Sequence, residues 1–161
     1  MNTITILLGG NIGNTQQFIL DAERLLVEQL GPIQLSSSIY KSEPWGFLSS
    51  QWFLNKTIVI QSELQALQVL GICQEIENSL GRKRGNTIGY ESRPIDIDIL
   101  FFNNDIINEP TLIIPHPKLH LRRFTLLPLH EIMHDFVHPV LKETIVEIIN
   151  ECEDNGVCRK Q

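Results

Sequence analysis

The chain of 161 residues is 42% apolar and 20% charged, which allows one domain with a sizeable core but not two. Its net charge of −6 argues against a general nucleic-acid binder, and its apolar runs are too short to span a bilayer. No basic region precedes the first apolar stretch, as a signal peptide would require, and three cysteines do not make a disulfide framework. We therefore expect a single cytoplasmic domain over residues 1–161, with free thiols.

The first half of the chain alternates strand and helix patterns. They predict a strand at residues 3–8, a tight glycine-rich turn, a helix at 15–30, strands at 33–40 and 52–61, and a helix that begins at the capping-box sequence 62–65 and ends at Gly81.

A loop at residues 82–92 leads to the strongest strand pattern, 95–102, and to a short strand near 112–114. Prolines 115, 117, 128 and 139 then break the chain into short helices before an amphipathic helix near 143–152. The order β-α-β-β-α-β with hairpin-length connections predicts an α+β fold, a ferredoxin-like and mostly antiparallel sheet with helices packed on it.

Asp96 and Asp98 alternate with isoleucines in the strand at 95–102, so both carboxylates project from one face. Two like charges on a largely buried strand are costly without a compensating cation. Mg²⁺ accepts one or two carboxylates together with phosphate oxygens. The alternative is an aspartate pair that is solvated or paired with arginines, because Asp-x-Asp alone is a weak motif.

Basic residues concentrate around this strand: seven lie between Arg82 and Arg123, against five acidic ones. Guanidinium groups bind phosphate oxygens in bidentate fashion, so the excess favours a small polyanionic ligand. Any one arginine is explained by solvation alone, but several around one acidic pair favour a binding site for such a ligand. The five arginines are Arg82, Arg84, Arg93, Arg122 and Arg123.

Three further polar residues each have two interpretations. His116 lies between two prolines, where it is either aimed at a phosphate or simply part of a turn. Gln74 and Glu77 lie beside the apolar stripe of the second helix, where they either reach a nucleotide or are solvated.

The segment from His130 to His134 matches the zinc-protease pattern H-E-x-x-H. That pattern requires a long helix presenting both histidines, and prolines 128 and 139 leave little room for one. We therefore interpret it as a short surface segment.

Taken together, these motifs resemble the 6-hydroxymethyl-7,8-dihydropterin pyrophosphokinase family of folate biosynthesis. The matching segments run from the first strand to about residue 140: LGGNIGN (8–14), YKSEPWG (40–46), FLN (53–55), QEIE (74–77), LGRKR (80–84), RPIDIDIL (93–100), IPHP (114–117), RRF (122–124), PLHEI (128–132) and HP (138–139).

The resemblance implies a three-layer α-β-α version of the fold and transfer of diphosphate from ATP to the pterin alcohol, releasing AMP. It implies a monomer acting on small-molecule substrates, with no nucleic acid or membrane partner. The pterin ring would lie between Phe53 and Phe124, with Asn55 on its polar edge. The loop from Ser42 through Pro44 to Trp45 would contact the ring through its backbone.

The same resemblance places two Mg²⁺ ions on Asp96 and Asp98, with Asp96 also near the pterin. Arg82 and Arg93 would assist transfer from loops. The residues at the family's nucleotide-binding positions are Gln74, Glu77, Arg84, Tyr90, Arg93, Ile99, His116 and Arg122. Phe53 and Tyr90 replace a tyrosine and a tryptophan often found there, and both keep an aromatic face, so we expect altered affinity but the same chemistry.

The expected mechanism is in-line attack of the hydroxymethyl oxygen on the β-phosphorus of ATP, catalysed by positioning and charge neutralisation. No residue is an obvious general base, and Asp96 is the nearest candidate. Two alternatives remain: a metal-dependent phosphoesterase that activates water with the same aspartates, and a non-catalytic nucleotide- or pterin-binding module.

Overall fold

The computed structural model describes residues 1–82 and 92–161, and this part of the chain contains eight strands and four α-helices. In chain order they are β1 (Asn2–Gly10), α1 (Thr15–Gln29), β2 (Ile33–Ser36), β3 (Tyr40–Ser42), β4 (Phe53–Ser62), α2 (Ala66–Ser79), β5 (Asp96–Phe102), β6 (Ile107–Glu109), β7 (Leu112–Ile114), α3 (Arg123–Met133), α4 (Ile145–Glu151) and β8 (Cys158–Lys160).

Six strands form one antiparallel sheet in the order β5-β1-β4-β3-β8, with β2 also paired to β4. The strands β6 and β7 form a separate hairpin. Helices α1 and α2 pack against one face of the sheet, and α3 and α4 against the other. The predicted α+β, ferredoxin-like fold with three α-β-α layers is therefore confirmed.

Alternation along the central strand β1 builds both cores. Ile4, Ile6 and Leu8 point into the core beneath α1 and α2, whereas Leu7 points into the core beneath α3 and α4. Each such fully buried aliphatic side chain contributes roughly 1.5–3 kcal/mol relative to an exposed one. The second core meets the sheet at Leu100 and Phe101, where an irregularity in the β1–β5 register interrupts the strict alternation.

The strand predicted at residues 33–40 is wrong as a single element, because it divides into β2 and β3. Between them Ser37 turns its hydroxyl back onto the chain, accepting from Thr57 N at 2.9 Å and donating to Ser38 O at 2.7 Å. A serine side chain that bonds to nearby backbone competes with a continuous strand ladder.

The predicted start of the second helix at Ser62 is also wrong. Ser62 ends β4, and a capping box formed by Gln65 and Gln68 opens α2 at Ala66. Glutamine is a less common cap than serine, so the sequence pattern favoured the wrong residue. Gly81, with φ of 97°, follows the last turn of the helix as predicted.

Pro128 lies inside α3 and does not break it, which contradicts the prediction of short helices divided by proline. Proline removes one backbone donor, and the packing of Leu126 and Leu129 into the second core offsets that loss. Strands β6 and β8 were not predicted, because three-residue strands carry little periodicity.

Among the described residues, no helix is both long enough and apolar enough to cross a bilayer. The cysteines Cys73, Cys152 and Cys158 are all free thiols.

Candidate active site

The strand β5 presents Asp96 and Asp98 on the face of the sheet that carries α3, while Ile97 and Ile99 are buried in the core on the opposite face. This is the arrangement that the alternating sequence predicts. Leu7 of β1 lies directly opposite Asp98 in the antiparallel ladder, and its side chain is on the same face of the sheet.

The two carboxylates are electrostatically coupled. Burial and the neighbouring Asp96 carboxylate raise the pKa of Asp98 well above its usual range, and Arg122 and Arg93 oppose the shift. A divalent cation would remove the repulsion that these groups now impose on each other.

Two arginines contact Asp96, one at each carboxylate oxygen. Arg82 Nη1 donates to Asp96 Oδ1 at 2.6 Å, and Arg93 Nη1 lies 3.5 Å from Asp96 Oδ2. Arg93 Nε is buried and has no hydrogen-bond partner within residues 1–82 and 92–161. An acceptor supplied by a ligand would satisfy that donor.

Glu77 is buried and connects α2 to β5, so the interpretation of a solvated helix position is wrong for it. Its Oε1 accepts from Ile97 N at 2.9 Å, and its Oε2 accepts from Arg82 Nη1 at 2.5 Å. Burial and Asp96 raise its pKa. Glu77 therefore positions Arg82 and the edge of β5, while Gln74 lies half-buried one turn earlier.

A pocket opens beside the aspartates. Its walls come from four strands, the 43–47 loop and the start of α3, and they bring together most of the residues predicted for the pterin and the metal. They are Leu7, Gly9, Ser42, Glu43, Trp45, Phe47, Phe53, Asn55, Arg93, Asp96, Asp98, Arg122 and Phe124.

Aromatic rings and one arginine form one side of this pocket. The rings of Trp45 and Phe124 meet edge-to-face with centroids 6.5 Å apart, and the Arg122 guanidinium carbon lies 4.8 Å and 5.6 Å from their respective centroids. Arg122 is almost fully buried. It lies against the aromatic wall, whereas the resemblance assigned it to the nucleotide.

Polar groups also line the pocket. Asn55 is buried and donates from Nδ2 to Ser42 Oγ at 3.1 Å. A fixed amide beside aromatic faces can orient a flat heterocycle through hydrogen bonds to its edge.

Gly9 and Gly10 serve a different purpose from the tight turn that the sequence predicts. A Cβ at Gly9 would lie 2.4 Å from Asn55 Oδ1, and one at Gly10 would lie 2.3 Å from Pro94 O. Both glycines belong to β1 and allow other chain segments to approach it closely. The turn interpretation holds for Gly13, which has φ of 69°.

Asn11 is a site residue that the sequence analysis missed. Its backbone N–H donates to Arg93 O at 2.9 Å, its Oδ1 accepts from Arg93 N at 2.9 Å, and its Nδ2 donates to Ser92 Oγ at 3.0 Å. It therefore holds the backbone of Arg93. The sequence carries no local signal for this role, because the two residues are 82 positions apart.

The remaining predicted residues lie around this pocket or outside the described part. Pro44 lines an adjoining cavity, and the side chain of Ile99 is in the core. Arg84 and Tyr90 fall in the segment 83–91, outside the described residues.

His116 follows the β6–β7 hairpin and is held on both sides. Its N–H donates to Leu100 O at 3.0 Å, and its Nδ1 accepts from Lys118 N at 3.2 Å. Burial, with help from Arg122 and Lys118, lowers its pKa to about 4. The ring is therefore neutral at pH 7, with its proton on Nε2.

The H-E-x-x-H segment is engaged in structural contacts. Our reason for rejecting a helix was wrong, since α3 carries His130 and reaches Met133. However, Glu131 accepts from Ser38 Oγ at 2.9 Å and from Tyr40 Oη at 2.7 Å, which ties α3 to β3. Within the described ranges, no group of three or more His, Cys, Asp or Glu side chains is arranged to hold a metal ion.

Comparison with known proteins identifies the family of this chain. Residues 5–134 match the profile of the 7,8-dihydro-6-hydroxymethylpterin-pyrophosphokinase (HPPK) family. The chain is 38% identical over 161 residues to the 2-amino-4-hydroxy-6-hydroxymethyldihydropteridine pyrophosphokinase of Haemophilus influenzae, covering 99% of this chain and 98% of that protein.

Other relatives are longer proteins. The chain is 37% identical over 155 residues to the folic acid synthesis protein fol1 of Pneumocystis carinii, covering 96% of this chain but only 20% of that one. The Plasmodium falciparum HPPK-DHPS structure with pteroate superimposes with a TM-score of 0.75 at 18% identity, over 93% of this chain and 44% of that one. This likeness supports the fold.

The chain belongs to the 7,8-dihydro-6-hydroxymethylpterin-pyrophosphokinase family. The resemblance drawn from its motifs is thereby confirmed. The predicted enzyme class, a diphosphotransferase of folate biosynthesis that uses ATP as co-substrate, is confirmed with it.

Proposed function

We propose that this chain transfers the diphosphate group of ATP to 6-hydroxymethyl-7,8-dihydropterin, releasing AMP, at the junction of Asp96 and Asp98 with the aromatic pocket. The observation that carries the proposal is that one pocket contains both the carboxylate pair and the aromatic and amide groups suited to a flat heterocycle.

The pterin end of the pocket lies between Phe53 and Phe124, with Asn55 reading the polar edge of the ring. The backbone of the loop Ser42, Pro44 and Trp45 supplies further donors and acceptors. Because Asn55 is already held by Ser42 at 3.1 Å, its amide is oriented before the ligand arrives.

Asp96 and Asp98 fit a magnesium site, since hard carboxylate oxygens at alternate strand positions leave room for phosphate oxygens. When bound, two Mg²⁺ ions would neutralise charge on the phosphate oxygens and on the departing AMP. The pKa of Asp98 is raised because, without a cation, a second negative charge beside Asp96 is unfavourable in this buried position.

The side chains of this protein hold and orient the triphosphate. Arg82 and Arg93 flank Asp96 and face the transferred group as charge-stabilising donors. Neutral His116 has its Nε2–H available to donate to a phosphate oxygen, because Nδ1 is occupied by Lys118 N. Gln74, Arg84, Tyr90 and the backbone of Ile99 complete the proposed nucleotide contacts. Glu77 acts on the nucleotide through Arg82, and Arg122 acts from the aromatic wall on the pterin side.

The hydroxymethyl oxygen then attacks the β-phosphorus in line with the α–β bridging oxygen. The bond between that oxygen and the β-phosphorus breaks, and AMP leaves with the oxygen. Asp96 is the nearest candidate to receive the hydroxyl proton. Most of the acceleration would come from positioning and charge stabilisation.

We further propose that the protein is a cytoplasmic monomer. At one edge of the sheet, Glu77 caps the N–H of Ile97 on β5. At the other edge, β8 has only three residues and carries Arg159 and Lys160, and short charged edges resist strand pairing between molecules. Light scattering would return a single mass near 18.4 kDa.

The test is release of AMP from ATP, measured with and without the pterin and with and without Mg²⁺. AMP that requires both supports the proposal. AMP formed without the pterin indicates a phosphoesterase, and saturable binding without product indicates a binding module. Either outcome contradicts the proposal.

A further inference from the structure

The segment after α4, residues 154–158, lines the cavity that adjoins the pocket beside Trp45 and Phe124, and it continues into β8. It lies beyond residues 5–134, the part that matches the family profile. It contacts both walls of the proposed pterin site, at the backbone of Arg123 on one side and at the backbone and side chain of Glu43 on the other.

On one side the segment caps α3. The residue before the helix, Arg122, makes no side-chain cap. Instead Asp154 Oδ2 accepts from Arg123 N, the first N–H of the helix, at 2.9 Å, while Asp154 Oδ1 accepts from Gly156 N at 2.9 Å. A carboxylate at a helix N-terminus is favoured by the orphan donors and by the helix dipole. The capped residue lies between Arg122 and Phe124, which both line the pocket.

On the other side the segment holds the loop that follows β3. Glu43 N donates to Val157 O at 3.1 Å, and Val157 N donates back to Glu43 Oε1 at 2.5 Å. Cys158 lies opposite Ser42 in the β3–β8 ladder. The loop carries Trp45, whose ring meets Phe124 of the other wall.

We infer that Asp154 is a positioning residue for the pterin: through residues 154–158 it sets the distance between the wall of α3 with Phe124 and the wall of the loop with Trp45. The inference rests on the proposed function of this pocket. None of the contacts of Asp154 reaches Glu77, Arg82 or His116 on the nucleotide side, so its loss affects one substrate more than the other.

The experiment compares Asp154→Ala with Glu153→Ala in the full chain. Glu153 is exposed and adjacent, so its variant removes the same charge without the cap. For Asp154→Ala we expect the KM for the pterin to rise about ten-fold, the size of effect typical of a lost helix cap, with the KM for ATP and kcat changed less than about two-fold. Glu153→Ala should leave all three constants as in the wild type.

A second variant keeps the carboxylate. In Gly156→Ala the new Cβ would lie 3.0 Å from Asp154 Oδ1 and 3.4 Å from Glu43 Oε1, so the segment must shift by a few tenths of an ångström. We expect the same selective rise in the pterin KM, but a smaller one, and this variant serves if Asp154→Ala does not fold.

Equal changes in both KM values would indicate general loosening and would overturn the inference, as would a pterin KM that matches that of Glu153→Ala. Both outcomes presuppose an active wild type. A wild type that forms no AMP with the pterin refutes the proposed function itself, and the positioning role with it, so the two failures are distinguishable.

Discussion

At the scale of one residue, the carboxylate of Asp98 lies in a position where its negative charge is unfavourable for stability. Burial and Asp96 raise its pKa, so its charged form is held at a cost. Asp98→Asn keeps the shape and removes the charge. We expect kcat to fall at least about 100-fold, as for loss of a group that stabilises transition-state charge, while the melting temperature stays the same or rises.

Asp105→Asn is the matched control, because Asp105 is exposed just beyond the same strand. It should leave both activity and melting temperature unchanged. Full turnover by Asp98→Asn would show that this carboxylate has no part in metal binding.

His138 provides a prediction about pH. It is 4% exposed, its Nδ1 accepts from Val140 N at 3.1 Å and Leu141 N at 3.0 Å, and burial with His120 lowers its pKa to about 4. The unfolded chain takes up this proton near pH 6.5, whereas the native state does not until about pH 4. The contribution of His138 to the free energy of unfolding is therefore fully present above pH 6.5 and is lost as the pH drops from there to about 4.

Urea unfolding of the wild type and of His138→Asn at pH 7 and pH 5 measures this contribution. The variant keeps an acceptor but does not titrate, so its stability should fall less over that interval. The part due to His116, whose pKa is also lowered to about 4, remains in both proteins. An identical fall in the two proteins would contradict the assignment.

Which residues the sequence reveals depends on how far apart their partners are. The shared face of Asp96 and Asp98 follows from local alternation. By contrast, Asn11 holds Arg93 across 82 positions, and Asp154 caps Arg123 across 31. Gly9 and Gly10 look like turn residues locally, and only the approach of Asn55 and Pro94 explains them.

At the scale of elements, the junction of α2 with β5 depends on Glu77. Glu77→Ala would leave Ile97 N without its acceptor in a buried place and would remove one of the two carboxylates that bind the Arg82 guanidinium. We expect a loss of about 3 kcal/mol in the free energy of unfolding, within the range for breaking a buried charged pair. Glu77→Gln keeps one acceptor and should lose less.

Guanidinium unfolding of both variants, with exposed Glu75→Ala on the same helix as control, checks this prediction. If Glu77→Ala were as stable as Glu75→Ala, the contacts of Glu77 between α2 and β5 would contribute nothing to the free energy of unfolding. Elements themselves were predictable where apolar spacing was long, as in α1 and β5. Prediction failed where tertiary contacts overrode a local signal, as at Ser37 and Pro128.

At the scale of the whole molecule, the two faces of the sheet have different roles: one is core, and the other also carries the candidate active site. One face is sealed by α1 and α2, while the other is covered by α3 and α4 only in part, and the pocket opens beside them. The order of elements and the family motifs predicted this architecture. The contacts of residues 154–158 with the two walls of the pocket were not predictable, because they join parts of the chain that are far apart in sequence.

The most direct test of the central claim is a crystal structure with Mg²⁺, the pterin, and an ATP analogue whose α- and β-phosphorus atoms are joined by a methylene group, which cannot release AMP. We expect metal density between Asp96 and Asp98, the pterin ring between Phe53 and Phe124, and its hydroxymethyl oxygen facing the β-phosphorus. A pterin bound elsewhere, for example in the polar cavity beside Trp52, or metal away from both aspartates, would contradict the account.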